Sequence, residues 1–178
     1  ERLTHKGQNY VLMNAKRRPD GPPVRGGLPY SAIAHLAEDV KPFVAMARAL
    51  RERGLSAPQI HAADLDEGFL LLEDLGTEPV VAGDPPAPIE ERYTAAVDLL
   101  VELHRQPAPA TLSVAPGVEY RLPPYDIDAF LIEAELLLDW YVPHRDGLVS
   151  AAARSEFTAL WREVLSHAYD QPATWVLR

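Results

Sequence analysis

The stretch Gly68-Phe69-Leu70-Leu71-Leu72-Glu73-Asp74-Leu75-Gly76 constrains the fold more than any other part of this chain. Its apolar run, 69–72, has strand length and follows a glycine, which predicts a buried strand. The run passes abruptly into Glu73 and Asp74, where the strand must leave the core. Gly76 then permits a backbone geometry closed to other residues. Upstream, 55–64 reads as a shorter strand and a turn, so the two segments predict a hairpin closed by 64–68. Taken alone, this is a buried hairpin ending in a solvated carboxylate turn.

The flanking segments read more simply. Residues 9–15 predict a strand, and the polar lead 1–6, turning at Gly7, predicts a partner for it. Residues 39–53 predict an amphipathic helix, because Val40, Phe43, Val44, Ala47 and Leu50 follow the i, i+3, i+4, i+7 spacing. Asp39 is the expected N-cap, Pro42 fits the first turn and Gly54 is the stop. Arg48, Arg51 and Arg53 suit the negative end of the helix dipole. Between strand and helix, 16–27 holds three glycines, three prolines and four basic side chains. It matches neither G-x-G-x-x-G nor the P-loop pattern, and its prolines lack the N–H groups of a phosphate cradle. A flexible surface loop over 16–38 is expected, with Lys16, Arg17 and Arg18 as outlying anion contacts.

The second half is mostly helical. Pro79, Pro85, Pro86 and Pro88 predict a linker over 77–88 without regular structure. A helix over 89–106 should bury Tyr93, Ala96, Val97, Leu100 and Leu103, and His104 near its end suits the dipole. Residues 107–124 read as irregular. A helix over 125–141 follows, with Phe130, Leu131, Ala134, Leu137, Leu138 and Tyr141 apolar. His144-Arg145-Asp146-Gly147 resembles a kinase catalytic motif, but position 151 is alanine where that motif needs asparagine, so a turn is expected. A helix over 150–169 should turn Phe157, Leu160, Trp161, Val164 and Leu165 inward, and 173–178 reads as a short buried strand.

Composition narrows the function classes. With 178 residues, 47% of them hydrophobic, the chain can bury a core. The net charge of −9 argues against a nucleic-acid partner, which needs a basic face. An acidic surface is the common state of a soluble cytoplasmic enzyme, which is the expected location. There is no cysteine, so disulfides, thiolate metal sites and cysteine nucleophiles are excluded. No apolar run approaches the ~20 residues of a membrane helix, so no membrane contact is expected. The chain begins at Glu1 rather than Met, and Arg178 closes an apolar run, so a fragment of a longer protein is expected.

The ordered set of helix, Gly-Leu-x-x-Pro, strand, turn, apolar strand and Glu-Asp-Leu-Gly resembles the aminoglycoside phosphotransferase superfamily of small-molecule kinases. The ending Leu103-His104 of the next helix resembles it too. The run Leu122-Pro123-Pro124-Tyr125-Asp126, with Leu131, Glu133 and Asp139-Trp140-Tyr141, resembles the subgroup that includes bacterial anomeric kinases acting on N-acetylmuramate and N-acetylglucosamine. The resemblance implies an incomplete α+β protein-kinase-like fold in two lobes: 1–76 with a small antiparallel sheet and one helix, a hinge at 77–88, and a helical lobe over 89–178 stopping just before the catalytic loop. It implies ATP and Mg2+ as cofactors, with the adenine on backbone groups of Glu73, Asp74 and Leu75 and the nucleotide against Met13. It points to Tyr125, Asp126, Glu133, Asp139 and Trp140 as the wall of the small-molecule site. Core packing of Trp140 and helix capping by Asp126 are the competing roles.

The sequence also departs from the family. Met13 stands where the family carries a basic residue that grips the ATP phosphates, and Phe43 where the helix carries its glutamate partner. A joint loss is physically sensible, since either charge alone and buried would be costly. No catalytic residue and no metal ligand is assigned within the chain. The resemblance implies an aspartate directly after Arg178, an asparagine five residues beyond it, and a second aspartate as the main magnesium ligand. The implied activity is phosphoryl transfer from ATP to a hydroxyl of an amino sugar or related compound, with the 178 residues alone inactive. The competing reading is a non-catalytic, pseudokinase-like binding module, and a third is a plain helical ligand-binding domain.

Overall fold

The hairpin lies within a four-stranded antiparallel sheet in the computed structural model, which describes residues 1–169 and Trp175. In chain order the strands are β1 (Arg2–His5), β2 (Gln8–Asn14), β3 (Pro23–Arg25), β4 (Leu28–Pro29), β5 (Ile60–Asp64), β6 (Phe69–Glu73), β7 (Val81–Ala82), β8 (Ala87–Pro88), β9 (Thr111–Ala115) and β10 (Val118–Arg121). The helices are α1 (Tyr30–Ile33), α2 (Lys41–Glu52), α3 (Glu90–His104), α4 (Ile127–Ala134), α5 (Val142–His144) and α6 (Ala151–Tyr169), with a π-helical turn at Leu137–Tyr141. The architecture is α+β, and the chain divides into two units. Among the described residues, one holds 1–18 and 39–122, the other 19–38, 123–169 and Trp175.

In the first unit the sheet runs β1-β2-β6-β5. Val11 stands opposite Leu72 and Met13 opposite Leu70, so β2 joins the hairpin in one antiparallel sheet. The apolar run of β6 does not alternate in sequence, but its burial does: Leu70 and Leu72 are 0% and 6% exposed, Phe69 39%. The pleat turns 70 and 72 to one face and 69 to the other. At the loop end Gly68 has φ +76°, and its carbonyl accepts from the Ala15 N–H at 2.9 Å. A Cβ at Gly68 would sit 2.6 Å from the Ala15 carbonyl oxygen and 2.7 Å from Lys16 Cα.

Helix α2 starts one residue later than expected. Val40 is its N-cap, and Asp39 instead accepts from the Lys41 N–H at 2.8 Å. Its end is a Schellman motif: Gly54 at φ +77° donates to Arg51 O at 2.9 Å and Leu55 to Leu50 O at 3.0 Å. Val44, Ala45, Ala47 and Ala49 are buried, and small side chains allow the β9–β10 hairpin to pack close through buried Leu112 and Val114. That hairpin corrects the irregular reading of 107–124, and β7 with β8 corrects the structureless linker. A further correction concerns α3. Leu103 is its only buried residue, while Tyr93, Val97 and Leu100 stay exposed, because no described element packs along that stripe.

Tyr120 on β10 is half-buried, and burial, then the negative charge of Asp39, raises its phenol above the ordinary value. The folded state therefore favours the neutral phenol. Its stabilisation is complete below about pH 10, where the unfolded phenol ionises, and is lost as pH rises toward the folded value. Tyr120→Phe is expected to flatten the alkaline fall of the urea midpoint between about pH 9 and pH 11; an unchanged slope would contradict this.

In the second unit α4 and α6 pack together, and α1 lies against α4 through buried Ile33, Ala34 and Ile132 with Tyr30. This overturns the flexible-loop reading of 16–38, since 23–33 contains a strand pair and a helical turn. The helix expected to 141 stays α-helical only to Ala134. Beyond it the π turn re-aims the side chains, so Leu138 is buried while Leu137, Trp140 and Tyr141 face solvent. In α6, Leu165 is buried, whereas Leu160 and Val164, expected inward, are exposed. The 144–147 segment is the expected turn, with Asp146 at φ 57° and the Gly147 N–H on Val142 O at 2.9 Å. The strand expected at 173–178 lies outside the described residues apart from Trp175.

Candidate functional site

The turn after β6 belongs to the first unit. Glu73 is tied into the sheet: its N–H donates to Gln59 O at 2.8 Å, and its carboxylate accepts from the Gln59 N–H at 2.9 Å, with Arg51 3.6 Å away. Asp74 accepts from the Gly76 N–H at 2.9 Å and pairs with Arg2 at 3.0 Å, and Arg2 also donates to Gly76 O at 2.9 Å. Arg2 therefore fastens the turn from the edge strand. Leu75 between these anchors is exposed, and its N–H has no partner among the described residues. Met13 is half-buried one strand over, against Leu70. A rigid turn with a free backbone donor suits recognition of a planar heterocycle, because the donor survives any side-chain change except proline. Lys16, expected as an anion contact, instead pairs with Glu67 at 2.7 Å, whose hydrogen bond and charge raise its pKa.

The other named residues all lie in the second unit, on α4, at its N-terminal approach and on the π turn. Asp126 caps α4, accepting from the Asp128 and Ala129 N–H groups at 3.1 and 2.9 Å. Tyr125 stacks edge-on against Phe130 with centroids 4.6 Å apart. Glu133 accepts a hydrogen bond from the Tyr30 hydroxyl. Asp139 pairs with Arg154 at 2.5 Å. Trp140 is 73% exposed and packs into no core among the described residues.

Sequence reasoning misses four residues here: Arg25, Tyr30, His35 and Glu135. Glu135 is buried, takes the Arg25 guanidinium and accepts from the Thr158 hydroxyl at 3.1 Å. Its position four residues after buried Leu131 is the available signal, a carboxylate on the core stripe of a helix that must find a cation. His35 sits at φ 53° with Nε2 buried and 3.4 Å from Asp126 Oδ2. That distance is within electrostatic reach, but the groups are not aligned for a hydrogen bond. Segment 19–38 thus meets α4 and both its caps at three carboxylates, 126, 133 and 135.

Among the described residues, no group of three or more His, Asp or Glu side chains converges to hold a metal ion. These residues therefore form no all-protein cage for a magnesium ion. No helix among them is long and apolar enough to cross a membrane.

The profile of the phosphotransferase enzyme family (APH) matches residues 2–178. An N-acetylmuramate/N-acetylglucosamine kinase of Caulobacter vibrioides is 36% identical over 177 residues, covering 92% of this chain and 48% of that protein. Kinases of the same name from Pseudomonas aeruginosa and Pseudomonas putida are each 33% identical over 145 residues, covering 79% of this chain and 39% of theirs. The chain spans about half the length, or less, of the curated relatives it matches.

Proposed function

This chain belongs to the phosphotransferase enzyme family, and from that premise we propose that the complete protein transfers a phosphoryl group from ATP to a hydroxyl of an amino sugar. The observation that carries the proposal is the match over 92% of the chain to a kinase named for N-acetylmuramate and N-acetylglucosamine. Residues 1–76, apart from segment 19–38, which packs with α4, form the nucleotide side, 77–88 the hinge, and 89 onward the helical lobe. The Leu75 N–H, held by the Arg2–Asp74 pair, reads the adenine, and Met13 lies against the nucleotide. Glu133 and Asp139 bond sugar hydroxyls, and the exposed Trp140 indole stacks on the sugar ring.

Phosphoryl transfer is mainly positioning and electrostatic stabilisation. Bound magnesium would neutralise phosphate charge, from ligands outside the described residues. What these residues supply is a fixed base-binding edge and an acidic acceptor wall. Incubating the complete protein with ATP, magnesium and each sugar should release ADP and yield a sugar phosphate, seen by phosphorus NMR. Binding of ATP and sugar without turnover would instead support a non-catalytic module. That second reading is favoured by one observation, the neutral pair Met13 and Phe43 in place of lysine and glutamate.

The nucleotide assignment has its own test. Leu75→Pro removes the N–H and should weaken ATP binding about tenfold or more in calorimetry, while leaving sugar binding unchanged. Unchanged ATP affinity would exclude the turn as the adenine site.

A further inference from the structure

Segment 19–38 reaches α4 from more than ninety positions away in sequence, and its contacts there are polar and specific. Arg25 on buried Glu135 fixes the path of the strand pair β3–β4. Ile33 and Ala34 pack on Ile132, one residue before Glu133, and Tyr30 packs on the same cluster. The Tyr30 ring is thereby held, and its hydroxyl is delivered to the Glu133 carboxylate. A long carboxylate side chain otherwise samples several rotamers, each of which must be given up on binding. His35, at φ 53°, is held in a left-handed conformation that a non-glycine residue adopts only where its surroundings require it.

We propose that Tyr30 is a positioning residue of the acceptor site: it holds the Glu133 carboxylate in the orientation that receives a sugar hydroxyl, with the Arg25–Glu135 pair anchoring the segment that carries it. The proposal rests on the reading of α4 as the acceptor wall. It makes a segment with the composition of a surface loop part of acceptor recognition, and it assigns sugar affinity to a residue that need not touch the sugar.

The test uses the complete protein, N-acetylglucosamine or N-acetylmuramate as acceptor, and the variants Tyr30→Phe, Glu133→Gln and their combination. Tyr30→Phe keeps the packed ring and removes only the hydroxyl. It should raise the acceptor KM, and the sugar dissociation constant by calorimetry, about tenfold, the loss of one hydrogen bond to a charged group. The ATP KM should stay within about twofold of the parent. In the Glu133→Gln background, Tyr30→Phe should change the acceptor constants less than about twofold, because the two residues act as one unit. If Glu133→Gln weakens the sugar but Tyr30→Phe does not, or if their effects multiply, Tyr30 does not act through Glu133 and the proposal is overturned. If neither variant moves the acceptor constants, the acceptor-wall reading itself fails and takes the proposal with it.

Discussion

Arg25→Met is expected to destabilise the complete protein by about 3 kcal/mol, more than Glu135→Gln, although both break the same ion pair. The difference lies in what each variant leaves behind. The Arg25 side chain is 39% exposed, so a guanidinium without its partner still reaches water. Glu135 is only 11% exposed at its side chain, and without Arg25 its carboxylate keeps the hydrogen bond from the Thr158 hydroxyl but no cation. A buried carboxylate stripped of its cation carries the full desolvation penalty, whereas a neutral amide in its place does not. Glu135→Gln should therefore cost about 1 kcal/mol. Combining Arg25→Met with Glu135→Leu should recover most of the loss, since an apolar pair needs no solvation. Urea midpoints of the three variants decide it. Equal losses for Arg25→Met and Glu135→Gln would mean that the pair is solvated and contributes as a surface salt bridge.

Gly68→Ala should cost about 3 kcal/mol and lower the melting temperature by roughly 10 °C. Two effects add. A left-handed backbone costs an L-residue about 1–2 kcal/mol, and φ there is +76°. The new methyl would also meet the Ala15 carbonyl at 2.6 Å and the Lys16 backbone at 2.7 Å, which can yield only by opening the strand end. Gly76→Ala is the control. It has φ +89°, but an added methyl would find nothing within 4 Å. Only the conformational part, about 1 kcal/mol, then applies. Similar midpoints for the two variants would show that the close approach at Gly68 relaxes without penalty.

The parts legible in sequence are those whose burial pattern is local. Phe69 to Leu72 announces β6, the stripe from Val40 to Leu50 announces α2, and Gly54 announces its end. The β9–β10 hairpin escapes although Thr111-Leu112-Ser113-Val114 alternates strictly in sequence and in burial, because Pro107, Pro109 and Pro116 around it signal turns. The stripe of α3 is a true apolar pattern and yet not a buried one, since periodicity records an apolar face and not what covers it. The carboxylates proposed for the acceptor side, Glu133 and Asp139, come from resemblance, and their partners are not legible in the sequence. Arg25, Tyr30 and His35 sit in a stretch whose glycines and prolines mimic a mobile loop, and nothing local in the sequence reports a contact 110 residues away.

That separation has a consequence in time. Tyr30 and Arg25 leave the ribosome 103 and 110 residues before Glu133 and Glu135. At about 5–20 residues per second, segment 19–38 waits roughly 5–20 s for its partners. During that interval the β1-β2-β6-β5 sheet, complete by residue 73, can already form. Ile33 and Ala34 meanwhile have no Ile132 to cover them. The nascent chain thus carries an apolar, uncommitted loop between two strands of a finished sheet, and translation pauses between residues 73 and 132 would lengthen its exposure to chaperones and to other chains.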